Sequence, residues 1–410
     1  ETAAPTCAIF AGSLEPSSIR QCFVTDCSLM AALAVLAEYE RRFGEPVLSS
    51  IIHPQKRLEG GRKEPVFSRR GRYACKLFLN GTVRRVVVDD RVPLGRDGKL
   101  LCAHTTRSEE LWVTLLEKAV AKISAGSYSM QGSNPGTDIF HLTGWVPESI
   151  PLKGAGSQEG DGGCRNGDAD WSEIFDEALR GYRHGHCVLC VGTLRLVDAV
   201  QRWQARQQGF PEGVSVSTGL VEGHAYPVLD CHGTEGHRLL YLKNPWSHTR
   251  WLGRFSPGSA AWAQNPGLAA TLGYDDAAAT AKDDGHFWIE WKDVVRYFSH
   301  FYVCWSPSRM GLRCVEAHGC WDPEPHFADS ALSDDTNLVA FNPQFLLRLS
   351  APLDKGGSGS SEEGIWVLLS RHVRKRSELR DRYVNVSLYR GWARLCCPDP
   401  PLEQGIFSNG

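Results

Sequence analysis

Apolar residues fill nearly every position from Leu29 to Ala37, and a charged stretch, Glu38 to Arg42, follows at once. This pattern predicts a helix from Cys27 to about Arg42 whose first half is buried on every side. A second helical pattern runs from Glu109 to Ile123, with acids in its first turn. Between them lie two strand-like runs, Ala74 to Leu79 and Val83 to Val88, joined by Asn80-Gly81. Both turn residues tolerate positive φ, so the segment predicts a hairpin. Farther on come short apolar runs separated by turn residues: Cys187 to Val191, Ala225 to Asp230, Arg238 to Leu242, His286 to Trp291 and Phe301 to Trp305. They predict an antiparallel sheet or barrel. From Ser306 onward the clearest strands are Phe345 to Leu349, Ile365 to Ser370 and Tyr383 to Tyr389, and a β-sandwich is the expectation. Two Gly-rich polar stretches, Gly154 to Asp168 and Asp354 to Glu363, read as surface loops, and Gly126 to Pro135 is a softer break.

Composition narrows the class without naming a chemistry. The 410 residues are 42% hydrophobic and 22% charged, which suits two or three globular domains. A formal net charge of -2 offers no basic excess for nucleic acid. The first residues, Glu1 to Phe10, lack the layout of a signal peptide, and Leu29 to Ala37 is too short to span a bilayer. A cytoplasmic protein is expected. The fourteen cysteines are scattered in apolar contexts, so buried free thiols are expected rather than disulfides. Cys187 and Cys190 have the spacing of a zinc half-site but no second pair at a matching distance.

Three residues carry a candidate chemistry. Cys27 sits at the head of the apolar helix, where unpaired N–H groups and the positive dipole end favour a thiolate. Gln21, six residues earlier, can supply a side-chain N–H to an oxyanion beside the Cys27 backbone N–H. His224 opens the strand after Glu222-Gly223, and Asn244 follows the next strand in Leu242-Lys243-Asn244-Pro245-Trp246. Adjacent antiparallel strands would bring imidazole and amide together. The amide oxygen would then fix the ring's tautomer, and Trp246 would shield that bond from water. Cysteine at a helix start, then histidine and asparagine on consecutive strands, is the papain-type order.

These blocks resemble the calpain superfamily. Gln21 to Ser28 (QCFVTDCS) is similar to its catalytic-cysteine motif, Gly223-His224-Ala225-Tyr226 and Asn244-Pro245-Trp246 to its histidine and asparagine motifs, and Glu110 to Ala119 to a further core block. Thr25 to Ser28, Ala37 to Phe43, Leu142 to Trp145 and Leu242 to His248 resemble the PalB branch, which includes the calpain-seven type. Asn342 to Phe345 and Ile365 to Arg371 resemble that branch's C2-like region. Cys22, Thr25 and Ser28 depart from the Gly, Gly and Trp of conventional members, and branch members show similar changes.

The resemblance implies an α+β architecture: a papain-like split cysteine protease core followed by a C2-like antiparallel β-sandwich. A helical lobe (1–130) would carry Gln21 and Cys27, a β-barrel lobe (131–305) His224 and Asn244, and 306–410 the sandwich, cut short at Gly410. It implies a cysteine endopeptidase that makes limited cuts in protein substrates, using Cys27, His224 and Asn244 as catalytic residues. The branch is associated with endosomal sorting proteins and, in fungi, with ambient-pH signalling, so recruitment of a cytoplasmic enzyme to endosomes is expected. No cofactor is required. Conventional members bind calcium in the core through an Asp at the position of Ser18, and serine is a poor substitute for a carboxylate ligand. Calcium control is therefore not expected. The branch's N-terminal helical trafficking repeats are absent, so the chain reads as a fragment or a reduced lineage. Basic residues from Arg371 to Arg382 offer anionic lipid a contact. The alternative reading is a catalytically silent scaffold that recruits partners through its C2-like domain. A transglutaminase-like acyl transferase would place Asp where Asn244 stands.

Overall fold

The computed structural model describes residues 8–124, 126–130, 132–152, 170–193, 207, 209, 211–234, 236–320, 342–348, 365–370, 385–391, 393–396 and 400–404. The chain divides into two compact units, one through Arg313 and one from Cys314 to Asn409, rather than at 305/306.

The first unit opens with a short strand, β1 (Ile19–Arg20), and a long helix, α1 (Cys27–Phe43). The helix runs where its apolar pattern predicts. Ser28 through Tyr39 are all buried, and Gly44 ends it at φ 67° with its N–H on Glu40 O. Complete burial of Leu33 and Leu36 stabilises the fold by roughly 1.5–3 kcal/mol each. The strands β2 (Ile52–His53), β3 (Gln55–Arg57) and β4 (Lys63–Pro65) lead to β5 (Arg72–Leu79) and β6 (Thr82–Asp89). The last two form the expected hairpin, with Asn80 at φ 54° and Gly81 at φ 72°. β7 (His104–Thr105) pairs with β1. α2 (Trp112–Ser124) starts later than its pattern suggested, and Glu109 and Glu110 precede it.

α3 (Pro135–Thr143) is capped by Asn134, whose side chain accepts from Thr137 N. A lobe boundary at 130/131 would assign α3 to the second lobe. Its Ile139 and Leu142 instead belong to the core built on α1, β5 and β6. Their apolar face matches that core, whereas the break before them is only a change of local composition.

The second lobe is a six-stranded antiparallel sheet. Its strands are β8 (Val146–Pro151), β9 (Cys187–Gly192), β10 (Ala225–Gly233), β11 (Arg238–Lys243), β12 (His286–Glu290) and β13 (His300–Trp305). Their spatial order is β12-β11-β10-β9-β13-β8. α4 (Trp171–His184) packs on β9 and β10. Among the described residues this order has two free ends, so the expected barrel is an open sheet. The reason is visible in β9. Val188 and Cys190 face α1, while Cys187, Leu189 and Val191 face α4 and the helix Trp291–Tyr297. Helices bury both faces, so closure is not needed to exclude water.

In the second unit, the described residues include one strand pair, β14 (Ser387–Leu388) with β15 (Glu403–Gln404). Residues 345–348 and 365–370, expected as strands, have no regular structure. The C2-like β-sandwich is therefore not seen among the described residues. Most of Tyr383 to Tyr389 is described, and only Ser387–Leu388 is strand. The basic cluster from Arg371 to Arg382 and both Gly-rich loops lie outside the described residues. No described helix is long and apolar enough to cross a membrane.

Candidate active site

Cys27 is the first residue of α1, and the carbonyl of Asp26 accepts the first helical bond, from Met30 N at 3.0 Å. Its thiol faces the backbone N–H of Ala225, the residue after His224. The helix tip of one lobe thus meets the head of β10 in the other.

His224 is buried, and its backbone is clamped to Thr193: His224 N donates to Thr193 Oγ1 at 3.0 Å, and Thr193 N to His224 O at 2.9 Å. Its Nε2 lies 2.9 Å from Asn244 Oδ1. With Nε2 committed there, Nδ1 is the nitrogen left to exchange a proton with a nucleophile. Asn244 has no exposed surface. Its Oδ1 also accepts from Trp246 N at 3.1 Å, and its Nδ2 donates to Thr249 O at 2.8 Å. The Asn244 backbone N–H reaches Gly285 O at 2.9 Å. Gly285 takes φ +82°, which disfavours a side chain, and a Cβ there would crowd Asn244 O at 3.0 Å. The half-exposed Trp246 ring lies 5.0 Å from the imidazole, and Tyr226 meets it edge-on at the same distance.

Gln21 is placed beside this group, its backbone N–H donating to Pro245 O at 3.2 Å. Its amide is already engaged: Nε2 donates to Val24 O at 3.0 Å and, more weakly, to Asp26 Oδ1 at 3.4 Å. The bond to Asp26 is the one an oxyanion could replace.

Burial sets the resting protonation. It pushes the Cys27 thiol up to about 11, against the partial help of the Ala225 N–H, and nearby Asp26 raises it further. It pulls His224 down to about 4, with the Asn244 bond working the other way. With these shifts Cys27 keeps its proton and His224 is neutral near pH 7.

Three buried acids cluster near Cys27, a meeting that the linear pattern does not show. Asp26, Glu117 and Asp138 are all buried, and Asp26 and Glu117 share a carboxyl–carboxyl hydrogen bond. Asp26 and Glu117 lie side by side; burial first, then their mutual repulsion, holds Asp26 well above the usual carboxylate range. Asp138 bonds Ser28 and Ser133, and burial raises it to about 7. Ser28 is the neighbour of Cys27 in the chain. The only clue in the sequence was an acid within the apolar first turns of α3. Among the described residues no group of three or more His, Cys, Asp or Glu side chains could hold a metal ion.

Asp138 gives a stability prediction. Its folded pKa, about 7, exceeds the ordinary 3.8, so the folded state binds this proton more tightly than the unfolded chain. That stabilisation is fully present below the unfolded value and is lost as pH rises through about 7. Asp138→Asn should therefore flatten the decline in urea midpoint between acidic and neutral pH. An unchanged slope would show that Asp138 is already ionised in the fold.

Comparison with known proteins fits this geometry. The model of the calpain family of cysteine proteases matches residues 2–305. Calpain-7 of mouse is 34% identical over 400 residues, covering 96% of this chain and 44% of the relative, and human calpain-7 matches equally. The calpain-like protease palB of Emericella nidulans is 29% identical over 394 residues, covering 94% of this chain and 39% of the relative. The chain thus spans less than half the length of these curated relatives. A helix-tip cysteine meeting a histidine–asparagine sheet, within a family match that covers both lobes, leads to one assignment: the chain belongs to the calpain family of cysteine proteases, on the branch of calpain-7 and PalB.

Proposed function

We propose that the chain is a cysteine endopeptidase that makes limited cuts in protein substrates, with Cys27 as nucleophile, His224 as general base and acid, and Asn244 as the group that holds the imidazole. The observation that supports this most is the 2.9 Å bond from His224 Nε2 to Asn244, made where the Cys27 thiol meets Ala225. His224 Nδ1 takes the thiol proton as sulfur attacks the peptide carbonyl. Gln21 Nε2 leaves Asp26 and, with the Cys27 backbone N–H, binds the oxyanion, each such donor lowering the barrier by about 3 kcal/mol. His224 returns the proton to the leaving amine, the C–N bond breaks, and water hydrolyses the thioester. Trp246 keeps water off the His224–Asn244 bond.

The proposal includes no cofactor and no calcium requirement. The names of the relatives favour protein substrates. Action in the cytoplasm beside endosomal sorting proteins rests on the branch alone.

An epoxysuccinyl inhibitor tests the chemistry directly. Labelling should reach Cys27 ahead of the other thirteen of the fourteen cysteines. A label that reaches the exposed Cys314, Cys320 and Cys396 but spares Cys27 would defeat the assignment.

A further inference from the structure

The two lobes are tied together next to the candidate site by a buried lysine. Lys243 closes β11 and immediately precedes Asn244. Only 1% of its surface is exposed. Its Nζ donates to Ile19 O, in the lobe of the nucleophile, at 2.7 Å. A buried ammonium normally has a carboxylate against it, because removing a charge from water is costly. Here the group that accepts from it is a carbonyl. Burial pushes the Lys243 amine down to about 7, Arg20 adds to that by repulsion, and Asp284 opposes it.

The surrounding bonds all run between the same two segments. Ser247 Oγ donates to Ile19 O at 3.3 Å, and Arg20 Nη1 reaches Ser247 Oγ. Gln21 N donates to Pro245 O at 3.2 Å. Residues 19–21 of one lobe are thus held against residues 243–247 of the other. The first segment ends in the oxyanion-donor candidate, and the second contains Asn244.

We propose that Lys243 is a positioning residue that docks the Ile19–Gln21 segment onto the Asn244 turn and so aligns the oxyanion donor with the histidine of the opposite lobe. It touches no reacting atom. Its contribution is geometric, and a displacement of about 1 Å between such groups can lower a rate about a hundredfold. The kinetic part of this inference rests on the cysteine-protease reading, whereas the docking part does not.

The test has two arms. In a Cys27→Ala background, hydrogen exchange is compared with and without Lys243→Met. The methionine keeps an apolar stem, and Ser247 Oγ remains as a donor to Ile19 O, so a urea midpoint measured beside the exchange separates lobe docking from loss of the fold. Exchange should accelerate in peptides covering 19–26, where Gln21 N–H bridges the lobes, and stay unchanged across the α1 core. In the active background, Lys243→Met should lower kcat about a hundredfold with KM shifted less than about threefold. Ser247→Ala, which removes a weaker strand of the same tie, should move both readouts in the same direction by less.

Unchanged exchange over 19–26 overturns the docking role whatever the kinetics. Faster exchange with kcat intact overturns the positioning role. If the unmodified chain cleaves nothing, the protease reading falls, and the exchange arm alone decides whether Lys243 joins the lobes.

Discussion

Cys27→Ala should abolish peptide hydrolysis, lowering kcat by at least about 10⁴-fold, while the urea midpoint changes little. The rate loss is large because no neighbouring group can form the acyl intermediate, and removing one member of such a unit removes nearly its whole contribution. The stability change is small because Cys27 lies only partly buried at the edge of the first core, and alanine removes a single atom there. The measurement is kcat on a peptide library beside an equilibrium denaturation curve. Cleavage at the unmodified rate would remove Cys27 from the mechanism. A collapse of stability would instead make it a core thiol, which is the commoner fate of a lone cysteine.

Asn244→Ala should do the opposite, damaging both properties. The fully buried amide serves three groups: His224 Nε2 at 2.9 Å, Trp246 N at 3.1 Å and Thr249 O at 2.8 Å. Alanine leaves all three without this partner, the His224 one in a buried site, at a cost of about 3 kcal/mol in unfolding free energy. The imidazole also loses the acceptor that fixes its tautomer, so kcat should fall about a hundredfold even in the folded fraction. Activity corrected for the folded population checks this. A variant that loses stability but keeps kcat would show that Asn244 is only a structural turn residue.

Much of the candidate site was legible because local rules govern it. The run from Leu29 to Ala37 demanded a helix buried on all sides, and α1 is one. Asn80-Gly81 demanded a hairpin, and both residues take positive φ. The strand pattern around Ala225 and Arg238 paired β10 with β11 and brought His224 to Asn244. Other readings failed where local pattern is silent about partners. The apolar run of β9 fits a barrel wall as well as an open sheet, and helices on both faces decided for the sheet. α3 joined the core of the first lobe because Ile139 and Leu142 fit there, although a Gly-rich break precedes it. The apolar runs at Phe345 and Ile365 read as strands, and among the described residues no strand pairs with them.

The sequence by itself determined which chemical groups this protein owns and their order along the chain: Gln21 and Cys27 at a helix head, His224 and Asn244 at strand ends. Periodicity and turn chemistry act over a few residues, so they can be read in one dimension. Only the tertiary structure decided which distant polar groups share a dry space. Lys243 against Ile19, Asp138 against Ser28 and Asp26 beside Glu117 are meetings across lobes or between elements. Their protonation follows from desolvation and near neighbours, quantities that exist only once the chain has folded.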